Sequence, residues 1–305
     1  MLERFRMVCK RKTKRQMNQT LLAWLLLAPT LCFMLLFTIW PIIRSIGLSF
    51  TAYELGMRKP EFIGLENYTT FAASELFWKV MRNTLYFSIL TVVPAFVLGL
   101  AFAMFVNKKY RRGIGVFRTS FFYPVVMPMI AIASIWLFMY MPETGMFDQL
   151  LMKCGGKPLG VLSSKKYVLP AMAAMYVWRE AGYLMIFFLS GLQNLDHELF
   201  EASLLDGASP VRTFRSITMP LLAPTTLFVS ITALTDSLKL VDHIVIMTEG
   251  APNNASTLLL YYIYQQGFIF FDQAKAATLT VVMLLIMLVV SMGQFLNSDK
   301  RIYYN

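Results

Sequence analysis

The sequence predicts an all-α integral membrane protein, on three observations. Of its 305 residues, 57% are hydrophobic and 15% charged, a balance too apolar for an ordinary soluble domain. The apolarity is spread along the chain, in six stretches that approach or reach the roughly 20 residues needed to cross a hydrocarbon core about 30 Å thick. Third, Lys and Arg collect beside alternate ends of those stretches, as expected when basic flanks stay in the cytoplasm.

Taken in order, a basic tail over residues 1–20 carries Arg4, Arg6, Lys10, Arg11, Lys12, Lys14 and Arg15. The first span, 21–40, has the basic approach of a signal peptide, but it has no small-residue cleavage site and runs on through Phe37, Thr38, Ile39 and Trp40, so it is read as a retained helix. The other spans are placed at 83–106, 117–140, 168–190, 220–240 and 275–296, giving an integral domain over 21–296 and a short tail over 297–305. Lys108, Lys109, Arg111, Arg112 and Arg118 mark the connection between the second and third spans as cytoplasmic. With both termini inside, the cytoplasmic pieces hold 16 basic and 6 acidic residues, which is +10 of the formal +11. Topology therefore accounts for the basic balance, and no nucleic-acid partner is expected.

The outer loops fall at 41–82, 141–167 and 241–274. A surface helix is expected around Leu65 to Phe77, with Asn67 or Ser74 as its cap. In the second loop, Gly145, Gly155 and Gly156 should turn the chain around a short apolar helix. Pro124 and Pro128 in the third span and Pro224 in the fifth read as kinks. Cys9, Cys32 and Cys154 fall on a tail, in a span and on an outer loop, so neither a disulfide nor a metal-ligand spacing is expected. His197 and His243 fall on opposite sides of the membrane and cannot share a site.

The connection 192–219 between the fourth and fifth spans is far longer than a turn and unusually polar. Asp196 is a good N-cap, and Glu198 and Glu201 follow where the helix dipole favours negative charge. Gly207 suits a C-terminal stop, and Ser209-Pro210 opens a second helix with Val211, Phe214 and Ile217 on one face, before Pro220 begins the fifth span. Two short helices joined at a glycine bury little area of their own and need a partner surface.

This loop resembles the signature of ABC importer permeases: Glu-Ala-Ala, a Gly three residues on, then Ile, one residue, Leu and Pro. Here it stands as Glu201-Ala202-Ser203, Asp206-Gly207 and Ile217-Thr218-Met219-Pro220, with Ser203 replacing the second Ala and Met219 the Leu. The stretches FRTSFFYPVVMP (117–128), VWREAGY (177–183), GLQNLDHELFEASLLDGAS (191–209) and STLLLYYIYQQGF (256–268) are similar to the sugar and glycerol 3-phosphate branch of that family, whereas TEGAP (248–252) has Ala251 where the family commonly has a second Gly. The resemblance runs from about Leu21 to the end. It implies six transmembrane helices in a bacterial inner membrane, with the 192–219 loop as a coupling helix seated in an ATPase subunit at Glu201, Ala202, Ser203, Asp206 and Gly207. It further implies a second permease subunit, ABC ATPase subunits and an extracytoplasmic solute-binding protein as partners, with membrane lipid around them. No Gly-x4-Gly-Lys-Ser/Thr motif occurs, and CGGKPLG (154–160) has the glycines without the spacing, so no cofactor is expected in this chain and ATP would be bound by a partner.

Charges inside spans are costly and face protein or water. Arg179 and Glu180 lie halfway along the fourth span; being adjacent they point in different directions, and each needs its own partner. Two readings stand for them: a contact with the translocated solute, best suited to Arg179, and a structural ion pair with another helix. Asp236 and Lys239, three apart near the outer end of the fifth span, are read first as a local pair, with a solute contact as the other reading. Tyr176, Trp178 and Tyr183 can stack on sugar faces or serve as interfacial aromatics. The candidate path is therefore Arg179, Glu180, Tyr183 and Asp236. A rival reading, a secondary transporter driven by an ion gradient, predicts inverted repeats, broken helices and an ionisable relay near the midplane.

Overall fold

A computed structural model of the chain describes residues 19–107 and 113–299. Most of the basic N-terminal tail, Cys9, the Lys108 to Arg112 cluster and the C-terminal segment from residue 300 lie outside the described residues. The described residues are mostly helical. Helix α1 spans Gln19–Leu48 and carries a π-turn at Leu35–Ile39 just before Pro41, whose ring displaces a backbone hydrogen bond. A two-stranded antiparallel ribbon, β1 (Thr51–Ala52) and β2 (Glu61–Phe62), then leads into α2 (Glu66–Ala73). The long α3 spans Glu75–Val106. It is followed by α4 (Ile114–Val126), α5 (Met129–Met139), the short α6 (Met146–Lys153) and α7 (Val168–Gln193). A hairpin of α8 (His197–Leu205) and α9 (Pro210–Leu221) precedes α10 (Ala223–Leu238), α11 (Asp242–Met247), α12 (Leu259–Tyr264) and α13 (Gln273–Asp299).

Helices α1, α3 and α13 are long and apolar enough to cross a membrane, and α4 with α5 and α9 with the helices that follow it add two more if each bent pair is one span. At 26 residues α7 is long enough to cross, but Arg179 and Glu180 interrupt its apolarity. What compensates is burial: α7 is the axis of the fold and packs most extensively along α3. Its first half joins one apolar cluster with Phe87, Ile132 and Ile244, and its second half a different one with Ala95, Leu222 and Val229. The two charges sit where those clusters meet.

Three sequence expectations change. The stretch 117–140 is not one kinked helix: α4 and α5 meet at 99°, because Pro128 cannot donate a hydrogen bond and forces Met127 into extended backbone, while Pro124 lies inside α4. Pro220 does not open a helix of its own, since it lies within α9. The chain breaks at Leu222, bends by 71°, and Pro224 occupies the first turn of α10, where a missing N–H costs nothing. In the first loop, Ser74 caps α3, accepting a bond from the Phe77 N–H at 3.4 Å. Asn67 is a tie and not a cap: buried within α2, it donates to the carbonyls of Ser49 (3.2 Å), just past α1, and Thr51 (2.8 Å), in β1. Helix α6 lies between turns at Gly145 and Gly155, as the glycine spacing predicts.

Candidate functional site

Two regions hold the chemistry-bearing residues. The first is a cavity of about 380 Å³ walled by α4, α7 and α10, lined by Val125, Tyr176, Arg179, Glu180, Tyr183, Asp236, Lys239 and Leu240. All four candidate path residues face it. Their convergence has a local cause: Gly182 lets α4 close onto α7, since a Cβ there would stand 1.9 Å from the Phe121 carbonyl oxygen. With the helices so close, residues 176, 179, 180 and 183 present one stripe of α7 to the cavity.

The pairing of charges differs from both sequence expectations. Adjacent Arg179 and Glu180 do not seek separate partners: the flexible Arg179 stem brings Nη1 to 3.6 Å from Glu180 Oε2. Glu180 is 3% exposed and Arg179 24%, so the carboxylate is inside the wall and the guanidinium faces the opening. Asp236 and Lys239 form no ion pair among the described residues. Helix α10 ends at Leu238, so Lys239 leaves the helical path and reaches the same cavity from its rim, and only its backbone N–H returns to the Asp236 carbonyl at 3.2 Å. Tyr176 Oη, Arg179 Nε and Glu180 Oε1 are buried without a well-formed hydrogen bond among the described residues. Trp178 points elsewhere, 5.8 Å from the Trp136 ring and half exposed on the surface.

The cavity thus has two cationic groups, two carboxylates and two phenols in its lining, formally neutral in sum. Such a lining carries both hydrogen-bond donors and acceptors. Among the described residues no group of three His, Cys, Asp or Glu could hold a metal ion.

The second region is the α8–α9 hairpin. Asp196 caps α8, accepting from the Glu198 N–H at 3.1 Å. At its other end Gly207 takes φ +69°; the Ala208 N–H returns to the Ser203 carbonyl at 3.0 Å and the Gly207 N–H to Leu204 at 3.1 Å, the paired closure that favours glycine. Ser209 then caps α9 through the Arg212 N–H at 3.4 Å. Of the five expected contact residues, Glu201, Ala202, Asp206 and Gly207 are exposed, whereas Ser203 is buried in the angle of the hairpin. Its hydroxyl lies 2.8 Å from the Phe200 carbonyl and 3.4 Å from Thr213 Oγ1, so it ties the two helices together at the floor of the groove between them.

Sequence reasoning missed Leu204 and Leu205, which are 73% and 89% exposed at the tip of α8. The signal was available: consecutive leucines just before a helix-stopping glycine leave their helix with no following turn to cover them. Beside them a groove of about 350 Å³ runs between α8 and α9, lined in part by Leu199, Ala202, Asp206, Arg212 and Ile217.

Residues 72–302 match the family described as the binding-protein-dependent transport system inner membrane component. The trehalose/maltose transport system permease protein of Thermococcus litoralis is 31% identical over 245 residues, covering 80% of this chain and 83% of that protein. The sn-glycerol-3-phosphate transport system permease protein of Agrobacterium fabrum is 30% identical over 288 residues, covering 93% and 97%. In three dimensions the chain resembles a subunit of a bacterial ABC transporter involved in import of the acidic polysaccharide alginate, with a TM-score of 0.82 at 22% identity over 95% of this chain and 99% of the other.

Proposed function

Because this chain belongs to the family of binding-protein-dependent transport system inner membrane components, we propose that it is the permease subunit of an ATP-driven importer for sugar-type solutes, crossing the membrane six times with both termini in the cytoplasm. On this reading α7 is the sixth crossing element beside the three long helices and the two bent pairs. The Arg179, Glu180, Tyr183 and Asp236 cavity is this subunit's half of the path, and a second permease supplies the other half. The α8–α9 hairpin faces the cytoplasm and seats in an ABC ATPase subunit, while a solute-binding protein delivers cargo from outside. Relatives named for trehalose and maltose, for lactose and for sn-glycerol 3-phosphate support the sugar-type class.

The observation that carries the proposal is the hairpin. Its backbone is closed by its own caps, yet its tip leaves Leu204 and Leu205 bare. A rigid short helix with an unburied apolar tip is suited to transmitting a displacement. Closure of two ATPase subunits would draw such hairpins together, tilt the spans and turn the path outward; hydrolysis would reset it. The neutral charge balance of the cavity, with Arg179 already paired to Glu180, favours an uncharged polyhydroxyl solute over a phosphate ester.

An ion-coupled carrier would also show the two broken helices and a cluster of buried ionisable groups, so the energy source is the point to test. Proteoliposomes containing the chain with its co-purifying subunits should accumulate solute with ATP and binding protein, and fail to do so with a proton or sodium gradient alone. Gly207→Pro and Glu201→Lys should lower ATP-driven uptake at least tenfold while leaving the amount of protein in the membrane unchanged. Gradient-driven uptake, or full uptake by both variants, would overturn the proposal.

A further inference from the structure

On the side of α10 away from the path lies a second cavity, of about 350 Å³, between α3, α10, α12 and α13. Leu85, Leu234, Leu238, Leu259, Met283 and Ile286 form its walls. The two hydroxyls on its surface are already engaged. Thr84 donates to the Val80 carbonyl at 2.8 Å and accepts from the Leu259 N–H at 2.9 Å, and Ser88 accepts from Ser237 at 3.2 Å. Apart from these hydroxyls and the rim the lining is apolar, and it suits hydrocarbon.

The rim differs. Arg82 stands at one end, exposed and without an ion pair or hydrogen bond among the described residues. Its neighbour Lys79 is engaged with the Asn253 carbonyl, and Trp78, one turn away, is half exposed with its indole N–H on the Ala72 carbonyl at 2.8 Å. An indole and a free guanidinium at the end of a membrane-crossing helix are the groups that meet lipid headgroups. From Trp78 to Ser88 the helix rises about 15 Å, half of a hydrocarbon core of about 30 Å, which is the depth of one leaflet.

We infer that this crevice is a binding site for one anionic phospholipid of the outer leaflet, with an acyl chain between α3, α10 and α13 and the phosphate on Arg82. The choice of lipid over a second permease follows from α10. At about 100° per residue, Leu234 and Leu238 lie roughly opposite Asp236. Asp236 faces the path, which on the function proposed above lies between two permeases; the Leu234 face is therefore turned to the bilayer. Leaflet assignment rests on the same proposal.

The test uses the chain purified with its partner subunits, equilibrated in nanodiscs of equal phosphatidylglycerol and phosphatidylcholine with identical acyl chains, then released for native mass spectrometry. One retained phosphatidylglycerol per copy is expected, favoured over phosphatidylcholine about fivefold, the value of one interfacial cation. Arg82→Gln should reduce that preference to near unity while a lipid is still retained. Met283→Trp, which fills the crevice, should remove retention of either lipid. Equal retention of both lipids by the unaltered protein, an unchanged preference in Arg82→Gln, lipid retained by a folded Met283→Trp, or a disulfide between Leu85→Cys and a second permease would each overturn the inference. Arg82 is exposed and unpaired, so its substitution leaves the fold intact and keeps the test decisive if Met283→Trp does not fold. The readout is bound lipid and not transport, so failure here is distinct from a missing ATPase partner, which would instead sink the proposed function.

Discussion

The polar cavity beside α7 borrows its walls from three helices, whereas the α8–α9 hairpin, a short way along the chain, is closed by hydrogen bonds that begin and end within residues 196–213. In the cavity, charged groups are buried and their geometry depends on how close α4 comes to α7. In the hairpin the polar groups cap locally and apolar side chains are left outside. A site held by tertiary packing is fixed relative to the bundle; one held by its own caps can move as a unit. That division fits the proposed function, in which the cavity groups keep their arrangement while the hairpin is pushed.

The sharpest way to break this contrast is at Gly182. A Cβ there meets backbone and not a yielding side chain, so Gly182→Leu cannot be relieved by a rotamer change. We expect a loss of about 3 kcal/mol, the upper end for overpacking, seen as the loss of a monodisperse species in size-exclusion chromatography. Gly207→Ala is the matched change in the hairpin. Its φ of +69° makes alanine cost about 1–2 kcal/mol, but the cost is local, and the melting temperature of the bundle should stay within a few degrees. Equal effects of the two would erase the distinction between packed and self-capped regions.

A smaller effect is expected at the ion pair. Arg179→Met leaves the Glu180 carboxylate buried without its cation, a destabilisation of about 1–3 kcal/mol. Adding Glu180→Leu should recover most of that stability, because an apolar pair of similar volume replaces buried charge without desolvating anything. Uptake should remain lost in both single and double variants. Thermal unfolding in detergent and solute uptake separate the two roles: recovered uptake in the double variant would make the pair purely structural, and unrecovered stability would mean that Asp236 or Tyr176 carries the coupling.

Much of this was legible in the sequence because it depends on neighbours in the chain. Apolar length marked the long helices, and Asp196, Gly207, Ser209 and Pro210 each acted as their local chemistry dictates. The breaks were harder. Pro128 and Pro224 were visible as prolines, but whether a proline kinks a helix or starts a new one depends on what the preceding residue packs against, and Met127 and Leu222 carry no such signal. The same holds for side-chain direction. Ser203 turns inward because Thr213 lies across a hairpin whose angle is set by Gly207, and Lys239 enters the cavity because α10 stops one residue earlier. Spacing on an ideal helix predicts neither, since both residues sit where the helix ends.

Leu205 tests the least costly and most specific part of the comparison. It is 89% exposed, so in the chain alone Leu205→Ser removes no packing, and the melting temperature should shift by no more than the roughly 0.5 kcal/mol typical of a surface change. On the proposed function, the same leucine is covered by the ATPase subunit in the assembled transporter. Burying a leucine side chain is worth about 1.5–3 kcal/mol, so its loss should weaken ATPase association about tenfold or more. The measurement is the fraction of ATPase subunit retained on the affinity-tagged permease across a dilution series. Leu221→Ser, partly exposed near the bend into α10 and away from the hairpin tip, serves as the control and should leave that fraction unchanged. If the two serine variants retain the ATPase equally, the bare tip is not the gripping surface, and the contact must then lie along the Ala202 and Arg212 groove between α8 and α9.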